Sequence, residues 1–179
     1  EQDIPSDHLT PLSIANIPYD NTQSPDLYIN IDDYKLSAHK AILARHSLIL
    51  AAMLQTPKKA SQENNEITIE DIDYTTMKSV LKIIYTGSTE DLDNIDTALK
   101  VLEAGEKYQM PIVKSASEQK LLFAITDDNV LGLLDEANLH NATSLRYTCI
   151  EYIIARGDKV VPSAELTKMC DEMPFIQAA

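Results

Sequence analysis

Glycine is nearly absent, with four residues in 179. Loops that cradle a phosphate with backbone amides need glycine for close approach, and neither G-x-G-x-x-G nor G-x-x-x-x-G-K followed by Ser or Thr occurs. No nucleotide site is therefore expected. Cysteine is scarcer still: Cys149 and Cys170 are the only two, too few for a disulfide framework. A reducing intracellular setting, nucleus or cytoplasm, fits that usage. Basic residues are also in short supply, 15 Lys and Arg against 28 Asp and Glu, for a net charge of −13. A surface of that sign repels phosphate backbones and anionic headgroups, so neither nucleic acid nor membrane is an expected partner. No apolar run approaches the ~20 residues that a membrane-spanning helix needs. The chain opens on Glu1 without a methionine or signal peptide and reads as a segment of a longer protein.

Chemistry-bearing constellations are missing as well. The four histidines, His8, His39, His46 and His140, are far apart, and none has a second ligand at metal-binding spacing. No G-x-S-x-G elbow occurs, and no Ser-His-Asp set can be nominated. Cys149 sits on an apolar stripe, as a buried thiol would. No metal, cofactor or catalytic residue is expected, and the chain reads as a non-enzymatic binding protein. The pair His39-Lys40, which stands against a helix-like stretch in "KLSAHKAIL", has no nucleophile or acid at usable spacing. It belongs to a strand-to-helix joint, with His39 as a buried imidazole satisfying backbone groups.

What is present suffices for one full-sized domain with a smaller appendage, since 44% of residues are hydrophobic. Residues 1–25 are rich in Pro, Ser, Asp and Asn around one apolar patch, Leu9, Leu12, Ile14 and Ile17. Thr10 and Pro11 can open a short helix there and Pro18 ends it. "LYINI" (27–31) and "YKLSA" (34–38) read as strands joined by Asp32-Asp33. A helix follows through about Arg45, and Ser47 caps a second one. Its seven apolar residues, Leu48 to Leu54, imply burial nearly all round. Residues 55–65 read as loop and "EITIE" as a third strand.

Beyond it, Tyr74, Met77, Val80, Leu81, Ile84 and Tyr85 form a one-sided helical stripe that Gly87 terminates. Further helices are expected over about 95–108, from Pro111, as a pair carrying Leu134 and Cys149, and over 163–173. The pattern is three strands interleaved with helices in front and helices alone behind: an α+β, mostly α, class.

These residues carry a family resemblance. The run Asp26 to Ile31, then Tyr34 to Ser47 with its Ala-His-Lys, an apolar triplet and a serine, resembles the opening of a BTB (POZ) domain. "EITIEDIDYTTMKSVLKIIYTG" is similar to that family's third strand and the helix after it, and "ALKVLEAGEKYQMPIVKSASEQKL" to its closing helical pair. "ITDDNVLGLLDEANLHNATSLRYTCIEYIIARGDKVV" resembles the three-box or BACK-like extension of speckle-type POZ (MATH-BTB) proteins. The resemblance implies a BTB domain over 26–125, a small three-stranded sheet packed on clustered helices, followed by a helical extension over 126–179.

It also implies a homodimer and an adaptor that links cullin three to a substrate protein held by a domain outside this segment. The dimer interface then falls on Leu9, Leu12, Ile14 and Ile17, with Asp26 and Lys40 as its charged pair. The cullin-facing residues fall on Met53, Leu54, Lys58, Lys59 and Tyr108, the Tyr108 ring burying apolar area with its hydroxyl in water. The loop Thr56 to Ser61 lacks the hydrophobic-any-Glu motif of many cullin-binding relatives. Burying an unpaired lysine in its place costs several kcal/mol. A cullin-independent dimerisation scaffold, or a transcription-linked module, is the alternative.

Overall fold

The structure, a computed structural model, describes residues 24–55, 60–61 and 65–160. The expected helices over 10–18 and 163–173 lie outside them.

Strands β1 (Leu27–Ile31) and β2 (Tyr34–Ala38) form the expected hairpin, with Leu27 opposite Ala38 and Ile31 opposite Tyr34. Period-two alternation turns Leu27, Ile29, Ile31, Leu36 and Ala38 inward. Asp32 takes the left-handed conformation the two-residue turn requires, φ 49°, which a short polar side chain tolerates. Helices α1 (Lys40–His46) and α2 (Leu48–Gln55) lead to β3 (Ala60–Ser61) and β4 (Glu66–Thr68). β4 runs parallel to β1, as a helical crossover permits, and the sheet order is β2-β1-β4-β3. The three expected strands are present; the two-residue β3 is a fourth, inside the stretch whose composition reads as loop.

α3 (Tyr74–Thr86) starts where the Asp73 carboxylate accepts the Thr76 N–H at 2.8 Å and stops at Gly87, φ 71°. It is more central than its one-sided stripe implies, because Thr76, Ser79 and Ile83 are buried along with the apolar positions. A short 3-10 helix, Glu90–Asp93, leads to α4 (Ile95–Lys107), capped by Asn94, and to α5 (Pro111–Phe123). These two helices approach closely at Gly105, where a Cβ would stand 2.9 Å from the Lys114 backbone nitrogen. Only glycine fits that contact without moving a helix.

α2 corrects one expectation. Leu50 alone is fully buried, Ile49, Met53 and Leu54 are partly covered, and Leu48 is 73% exposed. An uninterrupted apolar run carries no periodicity, so it does not reveal that one side of this helix faces out.

α6 (Val130–Leu139) and α7 (Thr143–Val160, kinked at Arg156) pack against each other, and α7 against α5. The joint is polar as well as apolar: the buried Glu118 carboxylate of α5 accepts the Ser144 and Leu145 N–H groups at 3.0 and 3.2 Å. Those are orphan donors of the first turn of α7, and a carboxylate there also meets the positive end of the helix dipole. One hydrophobic core runs from Ile29 and Ile67 on the sheet through Met77 and Leu81 to Leu134 and Cys149. Each such side chain contributes about 1.5–3 kcal/mol on burial.

Candidate functional site

On α2, Ile49 and Met53 are four residues apart and share one face. That face forms one wall of a groove of about 570 Å³ whose other walls are Thr68 to Asp71, from the last residue of β4 onward, and Lys107-Tyr108 at the end of α4. Ile49, Met53, Ile69 and the Tyr108 ring give it an apolar floor; Glu70, Asp71 and Lys107 are its charged members.

Two buried or half-buried hydrogen bonds hold the walls in register. The Ser47 hydroxyl donates to the Tyr108 carbonyl at 2.6 Å and accepts the Leu50 N–H at 3.0 Å, tying the start of α2 to the end of α4. The Tyr108 hydroxyl donates to Asp71 at 2.6 Å, and the Lys107 ammonium lies 2.8 Å from the same carboxylate. Tyr108 is therefore 5% exposed, with its hydroxyl on a carboxylate and not in water, which corrects the expectation for that group. Burial, then the bond to Asp71, pushes its phenol well above the ordinary tyrosine range. Burial works to raise Asp71, but the bonds from Lys107 and Tyr108 outweigh it and hold the carboxyl below its usual value. Lys107 is raised in turn by Asp71.

Of the residues the resemblance assigns to cullin contact, the structure brings Met53 and Tyr108 together in this groove. Leu54 is not among the lining residues and packs partly against the core. Lys58 and Lys59 lie outside the described residues. Sequence reasoning missed Ile49, Ile69, Glu70 and Asp71. The four-residue spacing of Ile49 and Met53 was a signal for the first; nothing local announces that Asp71 meets Tyr108, 37 positions on.

Leu9, Leu12, Ile14 and Ile17 of the expected dimer patch also lie outside the described residues. Asp26 and Lys40 do meet, but through the backbone: the Lys40 N–H donates to the Asp26 carboxylate at 2.8 Å, capping α1, while the ammonium reaches the Asn65 side-chain oxygen at 2.6 Å. An open helix terminus supplies N–H donors that compete with the ammonium for the acid. His39 is half-buried and its partner is a side chain. Its backbone N–H donates to the Tyr85 hydroxyl at 2.8 Å, and its ring Nδ1 lies 3.0 Å from the same oxygen.

A second groove, about 490 Å³, lies between the 3-10 helix, the start of α4 and the end of α5, beside Phe123, whose side is 91% exposed. Asp93 and Lys120 form an ion pair of 2.6 Å at its edge. Among the described residues no group of three or more His, Cys, Asp or Glu side chains is placed to hold a metal, and no helix is long and apolar enough to cross a membrane. Burial alone pushes the Cys149 thiol up to about 11, which leaves it a poor nucleophile.

Comparison with known proteins gives these features a family. The chain is 32% identical over 136 residues to Protein maternal effect lethal 26 of Caenorhabditis elegans, which covers 75% of this chain and 34% of that protein. It thus spans about a third of that relative's length. Among solved structures it is similar to the BTB domain of zebrafish PATZ1, with a TM-score of 0.45 and 16% identity over 54% of this chain and 75% of that one. The BTB (Tramtrack and Bric a brac) domain of human Gigaxonin matches at a TM-score of 0.45 and 22% identity, over 52% and 75%. The sequence model of the BTB/POZ domain matches residues 16–125, more than half of the chain, and the protein belongs to that family of protein-interaction domains.

Proposed function

We propose that this chain is a non-catalytic adaptor: a homodimeric BTB domain over 26–125 with a three-box or BACK-like extension over 126–179, which recruits cullin three to a ubiquitin ligase. Its substrate is held by a domain outside this segment, in the nucleus or cytoplasm. The observation that carries this reading is the groove in which Met53, Ile49 and the Tyr108 ring face one apolar trough. Such a trough, with aromatic and methionine lining and a polar lip, has the composition of a protein docking surface.

Calorimetric titration of the chain with the N-terminal part of cullin three tests it. Binding is expected, with Met53→Glu abolishing it and the Tm kept near that of the parent. No binding by the parent at about tens of micromolar overturns the adaptor reading. The second reading, a cullin-independent scaffold or transcription-linked module, is favoured by the sequence Thr56 to Ser61, which puts Lys58-Lys59 where an apolar anchor and an acid are common. Light scattering checks the dimer, and Ile14→Lys should lower the dimer population.

A further inference from the structure

Three charged side chains stand on the lip of the Tyr108 groove, and two of them are already used. Lys107 is neutralised by Asp71 at 2.8 Å, and Asp71 is committed further to the Tyr108 hydroxyl. Glu70, next to Asp71, is exposed and makes no ion pair or hydrogen bond among the described residues. One uncompensated carboxylate is thus left beside an apolar trough. Low-dielectric walls concentrate the field of such a charge, and the chain's net charge of −13 adds attraction of the same sense at longer range.

We infer that Glu70 selects the groove's partner: the occupant is an amphipathic protein segment that seats an apolar side chain in the trough and places a Lys or Arg against Glu70. A segment with an acid at that position meets like charge and associates slowly. The inference deepens the docking reading given above and rests on it.

Stopped-flow association and calorimetry with the N-terminal part of cullin three, at low and high salt, test it on the parent, Glu70→Gln and Glu70→Lys chains. At low salt Glu70→Lys should weaken binding about tenfold and Glu70→Gln about threefold, mainly through the association rate, and the differences should shrink as salt screens them. Because Glu70 touches no described partner, all three chains should melt together. Parent binding with both variants unchanged, or with Glu70→Lys tighter, overturns the role of Glu70 and leaves the docking reading standing. A parent chain that does not bind defeats the docking reading and this inference with it.

Discussion

The two grooves are close in size, about 570 and 490 Å³, yet they are held open by different means. The Tyr108 groove has walls joined by hydrogen bonds from the buried Ser47 and from the buried Tyr108 to Asp71, whose own side chain is 40% exposed. The Phe123 groove has at its lip the Asp93–Lys120 pair, whose side chains are 78% and 32% exposed. Exposed pairs lose most of their attraction to water and to side-chain entropy, whereas a buried donor or acceptor stripped of its partner has no water to replace it. Charge differs too: Asp93 and Lys120 cancel each other, while among the described residues the Tyr108 groove keeps Glu70 in excess. Volume does not separate these two places, and rigidity and residual charge do.

The comparison can be broken at its strongest point first. Ser47→Ala removes both the donor to the Tyr108 carbonyl and the cap of α2, and should lower the unfolding free energy by about 2 kcal/mol in urea titration. A loss no larger than that of an exposed serine would show that the wall is not held there. Tyr108→Phe keeps the ring and removes one hydrogen bond to Asp71; about 1 kcal/mol is expected, with a matching drop in Tm.

Acid should act on the same groove. Asp71 is held below its ordinary value, so its contribution to stability is complete above that value, about pH 4, and is lost as pH falls through the lower folded value. Urea midpoints should therefore be steady from neutral pH down to about 5 and then fall, and Asp71→Asn should flatten part of that fall. An identical acid slope in the variant would remove Asp71 from the account. The smallest effect is expected in the other groove. Lys120→Ala should change stability by less than about 0.5 kcal/mol, since its pair is exposed.

Much of the fold was readable because its signals are local. The hairpin strands occupy the expected ranges, 27–31 and 34–38, since inward and outward residues alternate within five positions. α3 is announced by a 3.6-residue stripe and by Gly87, both inside one short window, and its Asp73 cap emerged with the structure. Where a local signal was weak or silent, the reading failed. The apolar run of α2 gave no phase, so the outward side of Leu48 was hidden, and β3 is too short to show a period. The candidate site was half legible. Met53 and Tyr108 came from the family pattern, but the hydroxyl of Tyr108 was misjudged because its partner, Asp71, is 37 positions away.

The sequence by itself determined the order of strands and helices, their caps and the acidic balance, because propensity, periodicity and net charge are properties of neighbours or of sums. Only the tertiary structure decided that α2, the segment after β4 and the end of α4 enclose one groove. It also decided that Asp71 neutralises Lys107 while Glu70 has no partner among the described residues. Which charges cancel depends on distances of a few ångströms between residues dozens of positions apart, and those distances exist only once the core has closed.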